Sequence, residues 1–309
     1  MKKKYLVTGA AGFIGAAVAQ KLINEEHEVW TIDNLSTGFV ENLPEGINFI
    51  EGGCQDKKII EKLRSNKFDA IFHIAGQSSG EISFEDPVYD LQTNTQSTLL
   101  LLKYSLQTNC KKFIYASTMS VYGDQPDKPI NEEASTFPKS YYAVGKLASE
   151  YYLKIYSAFD IKVTSLRLFN CYGSGQNMGN LKQGMVSIFL AQALDKKHIL
   201  VKGDSDRYRD LLYIDDVVDS FIEVLKYKSK GYNCYNVGTG IKTTVKDLIE
   251  QIKSNLPFNI SVEYNGSTPG DQFGIFADIR KIKNELGWAP SVKLKDGIRL
   301  MIKNELDKY

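Results

Sequence analysis

Two groups of residues in this chain have the types and spacing to do chemistry. Tyr142 and Lys146 stand four apart in Tyr142-Ala143-Val144-Gly145-Lys146, so a helix presents both on one face. A free phenol, with a pKa near 10, is a poor base at neutral pH. An ammonium one turn away favours the phenolate and pulls its pKa toward the working range, as proton abstraction from a hydroxyl requires. Tyr141 is five residues from Lys146 and points elsewhere. The second group is Gly9-Ala10-Ala11-Gly12-Phe13-Ile14-Gly15, where three glycines spaced by three follow an apolar run and open a helical pattern. Gly9 permits a tight turn, Gly12 lets backbone approach a pyrophosphate, and Gly15 lets the helix pack closely. The leading N–H groups of such a helix, at the positive end of its dipole, attract phosphate. Asp33 closes the next apolar run, 24 residues after Gly9. There a carboxylate accepts from both ribose hydroxyls and repels a 2′-phosphate, so NAD rather than NADP is the expected cofactor. The two groups together read as an enzyme, because a binding module needs only the glycine loop.

The elements that must position these residues follow a rhythm. Strands are expected at Lys4–Val7, Glu28–Ile32, Asn48–Glu51, Ala70–Ala75, Phe113–Ser117 and Lys162–Phe169. Helices are expected at Gly12–Asn24, about Lys57–Ser65, roughly Pro87–Gln107 and Tyr141–Phe159. Ala70–Ala75 is apolar apart from His73, as suits a strand covered on both faces. The alternation predicts an α/β fold, a Rossmann-type doubly wound parallel sheet. Ser117-Thr118 then falls at the C-terminal end of a strand, the edge where such sheets bind ligands. A Thr118 hydroxyl there can bond the reacting oxygen. After Asn170 the rhythm breaks. Tyr172–Gly184 reads as loop, Met185–Leu194 as helix, Leu211–Leu225 as a strand end running into a helix, and Cys234–Val237 as a last strand. Thr243–Ser254 is amphipathic, and Asp278–Tyr309 holds two short helical stretches parted by Gly287-Trp288-Ala289-Pro290. This predicts an NAD-binding domain over 1–170 plus about 209–238. A smaller C-terminal α/β substrate domain is expected from 171–208 and 239–309.

Composition narrows the partners. The 309 residues are 43% hydrophobic and 24% charged with a net charge of +1, which offers no electrostatic case for nucleic acid or an anionic membrane. No run approaches the roughly 18 apolar residues of a membrane span. Met1-Lys2-Lys3-Lys4 is followed by an apolar run far too short for a signal peptide. Cys54, Cys110, Cys171 and Cys234 lack metal-ligand spacing and read as small buried residues with reduced thiols. A cytoplasmic enzyme without a metal is the expectation.

With these residues in view, the chain resembles the extended short-chain dehydrogenase/reductase family. More closely, it is similar to nucleotide-sugar 4-epimerases of the UDP-glucose 4-epimerase type. The resemblance runs through nearly the whole chain. Beyond the glycine loop, Ser117-Thr118 and Tyr142/Lys146, it includes Asp33-Asn34-Leu35-Ser36-Thr37-Gly38, His73-Ile74-Ala75-Gly76-Gln77, Val121-Tyr122-Gly123 and Arg167-Leu168-Phe169-Asn170. It continues through Arg209-Asp210, Tyr213-Ile214-Asp215-Asp216-Val217 and Pro269-Gly270-Asp271. The resemblance implies a nucleotide-diphosphate sugar as substrate. Tyr142 takes the proton of its 4-hydroxyl as hydride leaves carbon 4 for NAD, the keto sugar turns, and hydride returns to the opposite face. Lys146 would bind nicotinamide ribose, and Thr118 fills the family's Ser/Thr position. Implied cofactor contacts are Gly9, Gly12, Phe13, Ile14, Gly15, Asp33, Asn34, Ser36, Thr37, Gly38, Cys54, Ala75, Gln77, Asn94 and Ser117, with Tyr142 and Lys146. Implied substrate contacts are Thr118, Asn170, Arg209 and Asp271. Glu81 faces either the sugar or solvent. The family's dimers further imply a homodimer with a four-helix interface made by Pro87–Gln107 and Tyr141–Phe159.

What is absent narrows the reaction. Nucleotide-sugar 4,6-dehydratases carry an Asp–Glu pair after the Thr, and decarboxylating relatives carry a Glu in this loop; here Met119 and Ser120 follow Thr118. A 4-epimerase is therefore expected, with a 4-dehydrogenase or reductase that releases the keto product as the alternative and a 4,6-dehydratase disfavoured. Three positions depart from the family. Gly53 stands where an Asp usually accepts from the adenine amino group, leaving the Cys54 and Gln55 backbone to compensate. Lys202 stands where an aromatic often packs on the substrate base. Thr268 stands where an Arg binds phosphate, and Arg207 either takes that place or lies solvated.

Overall fold

A parallel sheet is covered on both faces, so its strands can be apolar along their length. In the structure, a computed structural model that describes residues 1–180, 184–228, 230–266 and 273–307, such runs form a seven-stranded sheet. Its strands are β1 (Lys4–Thr8), β2 (Glu28–Asp33), β3 (Asn48–Glu51), β4 (Ala70–His73), β5 (Lys112–Thr118), β6 (Lys162–Leu168) and Tyr232–Val237. The order is Tyr232–Val237, β6, β5, β4, β1, β2, β3. The β1–β2, β2–β3, β1–β4 and β4–β5 pairs are parallel. The chain thus runs outward from β1 to β3, crosses back to β4 on the other side of β1, and continues outward. That reversal between β1 and β4 is the switch point at which doubly wound sheets bind ligands beyond the carboxyl ends of the strands. The α/β class and the Rossmann-type sheet are as expected.

Leu6, Ile32, Ile71, Phe113 and Val163 of the strands pack in one buried cluster with Leu101, Leu102 and Leu153 of two helices. Lys112, at the start of β5, reaches the end of the Ile214–Lys226 helix. Its Nζ donates to the carbonyls of Val224, Leu225 and Tyr227 at 3.1, 2.5 and 2.8 Å. These carbonyls have no intrahelical partner, and a cation suits the negative end of the helix dipole.

Two helices differ from expectation. The stretch expected as one helix over Pro87–Gln107 is α-helical over Pro87–Leu91, π-helical over Gln92–Gln96, and α-helical again over Ser97–Thr108. Hydroxyls there compete for backbone carbonyls: Thr93 Oγ1 donates to Tyr89 O at 3.0 Å and Thr98 Oγ1 to Asn94 O at 2.7 Å. The helix expected over Lys57–Ser65 is regular only over Lys57–Glu61, with tighter three-residue turns carrying the chain to Asn66.

The chain divides into two compact units. The first comprises Met1–Val121, Pro138–Arg167 and Val218–Tyr235; the second comprises Tyr122–Phe137, Leu168–Val217 and Asn236–Tyr309. The second holds small sheets. Asn170–Tyr172 pairs in parallel with Leu211–Tyr213, and His198–Val201 pairs with Ser261–Tyr264. Tyr208–Arg209 lies between Thr243–Thr244 and Gly274–Ile275. Tyr172 is therefore strand where loop was expected. The Val245–Asn255 helix starts with a capping box between Thr244 and Asp247. Among the described residues, no helix is long and apolar enough to cross a membrane.

Candidate active site

The glycine loop turns out of β1 through Gly9, whose φ of +79° a side chain would strain. A Cβ on Gly9 would also lie 2.9 Å from the Ala75 backbone, and one on Gly15 would lie 2.1 Å from Gly9 O. Gly15 therefore lets the helix Phe13–Asn24 pack on the turn itself. Gly12 is the N-cap of this helix and offers no side chain to its first turn, leaving the leading N–H groups to an outside acceptor. Asp33 is buried at the end of β2. Its Oδ2 accepts from Ala11 N and its Oδ1 from Leu35 N, both at 2.9 Å. Each oxygen keeps capacity for a further hydroxyl. Asn34 Oδ1 accepts from Ser36 N at 3.2 Å, and the chain returns to the loop where Phe39 N donates to Ala11 O at 3.1 Å. A Cβ on Gly38 would lie 2.5 Å from Ala11 C, so Gly38 is held against the loop, with Thr37 beside it in the chain.

A continuous set of contacts leads from this loop to the helix of Tyr142. Ala75 N donates to Thr8 O at 3.1 Å. The next residue, Gly76, has room for no side chain, since its Cβ would lie 2.4 Å from Asn94 Oδ1. Asn94 sits in the π-helical segment, fully buried. Its Nδ2 donates to Gln77 O at 2.9 Å, while its Oδ1 has no hydrogen-bond partner. From the same segment Thr95 Oγ1 donates to Gly145 O at 3.2 Å, and Asn94 O accepts from Ser149 Oγ at 3.0 Å.

Ser140 caps the helix Tyr141–Tyr156, accepting from Ala143 N at 3.2 Å. Tyr142 is half-buried. Tyr141 is exposed and packs its ring on Phe84, 5.5 Å between centroids. Lys146 is 3% exposed; its Nζ lies 5.9 Å from the Tyr142 ring centroid and donates to Ala116 O at 2.9 Å. Burial lowers its pKa from the usual 10.5 to about 8, against the opposing pull of Asp90 and Glu150. Two residues beyond Ala116, Thr118 ends β5, and its Oγ1 accepts from Ser120 N at 3.1 Å. Ser117 Oγ donates to Glu150 Oε1 at 2.5 Å, and Glu150 forms a buried two-point pair with Arg167 (3.0 and 2.7 Å). Sequence reasoning missed Glu150; its place one turn after Lys146 was the available signal.

Other expected residues lie as follows. The Cys54 side chain is buried in the core cluster, and burial pushes its thiol up to about 12, so only its backbone is offered to a ligand. A Cβ on Gly53 would lie 2.4 Å from Gln55 Oε1, so the Gln55 amide fills the space left at Gly53. Glu81 is exposed at the head of the Ile82–Glu85 helix. In the second unit, Asn170 N donates to Asp210 O at 3.0 Å and Asn170 Oδ1 is buried without a partner. Arg209 is buried, its Nη1 donating to Tyr208 O at 2.7 Å and Phe273 O at 3.3 Å. Arg207 is not solvated: its guanidinium folds onto Asp204 O and Lys202 O. Lys202 is exposed. Asp271 and Thr268 lie outside the described residues.

The donor set fits a dinucleotide: an uncapped helix start for phosphate, an anchored carboxylate for ribose hydroxyls, and a buried unpartnered Asn94 oxygen between the loop and the Tyr141–Tyr156 helix. Comparison with known proteins agrees. Residues 5–238 match the model of a family described as the NAD dependent epimerase/dehydratase family. The UDP-glucose 4-epimerase of Mycolicibacterium smegmatis is 33% identical over 300 residues, 95% of each chain. The Thermotoga maritima UDP-glucose 4-epimerase, solved with UDP-glucose, superposes with a TM-score of 0.95 at 34% identity, covering 99% of each chain. The Thermus thermophilus UDP-glucose 4-epimerase, solved with NAD, gives 0.89 at 32% identity over 97% of this chain and 98% of that one.

Proposed function

This chain belongs to the NAD-dependent epimerase/dehydratase family, and on that premise we propose that it is a nucleotide-sugar 4-epimerase of the UDP-hexose type. The observation that carries the choice of reaction is the turn after β5. Met119–Tyr122 is a 3₁₀ turn without an acidic side chain, and Ser120 Oγ and N lie 3.2 and 3.1 Å from Thr118 Oγ1. Elimination across carbons 5 and 6 needs an acid and a base at that point, whereas reversible oxidation at carbon 4 needs neither.

In this reading Tyr142 Oη takes the proton of the sugar 4-hydroxyl and later gives it back. Lys146 Nζ holds the phenolate by its charge and donates to the nicotinamide ribose. Thr118 Oγ1 bonds the reacting oxygen, keeping it in reach of Tyr142. Asp33 holds the adenosine ribose, the loop of Gly9–Gly15 holds the pyrophosphate, and the Gln55 amide stands in for the family's Asp toward adenine. Bound NAD supplies the acceptor and donor of the hydride at carbon 4. On the family resemblance, Asn170 and Arg209 are the expected contacts of the sugar diphosphate. The test is incubation with UDP-, GDP-, CDP- and dTDP-hexoses, following 4-epimer formation by NMR and NADH by absorbance. Interconverted 4-epimers without net NADH are expected. Stoichiometric NADH with a free 4-keto sugar overturns the epimerase reading in favour of a dehydrogenase.

A further inference from the structure

Lys146 is a buried cation, and a buried cation needs an anion. Among the described residues its one hydrogen bond is to the carbonyl of Ala116. The groups that face it can be counted element by element. From its own helix come Tyr142 and Glu150. From β5 comes Tyr115, whose ring centroid lies 4.9 Å from Nζ. From β4 comes His73, which is fully buried, bonded to Thr8 Oγ1 and Ser97 Oγ, and neutral, with its pKa driven down to about 3 by burial. From the Pro87–Leu91 helix comes Asp90, whose Oδ1 approaches the neighbouring Gly145.

Of the two carboxylates, Glu150 is already matched by the two-point pair with Arg167. Among the described residues, Asp90 makes no such ion pair. It is 1% exposed, and its Oδ2 takes only neutral donors, Gln77 Nε2 at 2.9 Å and Asn94 Nδ2 at 3.2 Å. Its Oδ1 has no hydrogen-bond partner and lies 3.4 Å from where a Cβ would stand on Gly145, the residue before Lys146. Gly145 thus leaves the wall between the carboxylate and the helix thin. Lys146, Arg167, Glu150 and Asp90 are all buried, and with Glu150 taken by Arg167 the carboxylate left for Lys146 is Asp90.

We propose that Asp90 is the counter-ion of Lys146, a positioning residue that keeps the lysine protonated at the back of the catalytic helix. The field effects run in the matching directions. Burial raises the Asp90 pKa, and the Asn94 and Gln77 amides and then Lys146 oppose that rise, while Asp90 opposes the burial-driven fall of the Lys146 pKa. The catalytic consequence rests on Lys146 acting with Tyr142; the charge pairing does not.

The experiment is a double-mutant cycle of Asp90→Asn and Lys146→Met in the NAD-loaded protein, read by chemical unfolding and by the pH dependence of kcat. Asp90→Asn should move the alkaline limb of kcat down by a pH unit or more, and should destabilise the fold far less in the Lys146→Met background than in the wild type. Should Asp90→Asn fail to fold, recovery of folding in the double variant supports the pairing. A double variant that also fails, or additive unfolding energies, overturns the pairing; coupled unfolding energies with an unmoved alkaline limb overturn the positioning role. The proposed role of Lys146 fails separately, if Lys146→Met alone leaves turnover intact.

Discussion

At the scale of single residues, the proposed proton transfer rests on a pair at the edge of a dry wall. Tyr142 is half-buried at the surface of that wall, and Lys146 is inside it. Tyr142→Phe removes only the hydroxyl, so turnover should fall about 10²-fold or more while the unfolding midpoint stays near that of the parent. A steady-state assay with a urea titration checks both. The pH dependence follows from Lys146. It loses its proton as pH rises, and its pKa is near 8 rather than the usual 10.5. The expected profile of kcat/KM therefore falls on the alkaline side about a centre near pH 8. Lys146→Arg, which stays charged, should remove that limb from the range below pH 10, whatever its absolute rate.

At the scale of elements, the site depends on how β5 is fixed. Lys146 and Glu150 hold Ala116 and Ser117 from one side, and Lys112 anchors the strand's start to the end of the Ile214–Lys226 helix. Lys112→Ala should cost about 1–3 kcal/mol, because three helix-end carbonyls lose a charged donor; denaturant unfolding at neutral pH measures it. Much of this layer was legible in the sequence. The strands show as apolar runs, the glycines mark the turn, and Asp33 closes β2 where a ribose carboxylate belongs. Other parts were not legible. Glu150 finds Arg167 only once the helix and β6 are packed together, and Asp90 reads as an ordinary polar position until burial is known. In and beside the π-helical segment hydroxyls bond backbone carbonyls, a feature that hydrophobic periodicity does not register. Short strands such as Tyr208–Arg209 carry too few residues for alternation to show.

At the scale of the whole molecule, an apolar stripe needs a partner. Val88 and Leu91 on one helix, and Val144, Tyr151 and Ile155 on another, are each more than half exposed. Single exposed apolar residues are ordinary, but a stripe along neighbouring helices is the kind of surface that association covers. We propose a homodimer joined through these two helices from each copy. Sedimentation should give twice the 34.8 kDa chain mass, and Val144→Asp with Tyr151→Asp should give the single mass. A wild-type monomer at micromolar concentration contradicts the proposal. A last consequence concerns redesign. Beyond its proposed role toward a ribose, Asp33 already holds Ala11 in the glycine loop and Leu35 in the turn after β2 through its two oxygens. Retuning the enzyme toward a phosphorylated cofactor by replacing Asp33 alone would therefore unfasten the cradle along with the selectivity filter. A successful exchange has to bring a new latch for the Ala11 amide as well as a cation for the added phosphate.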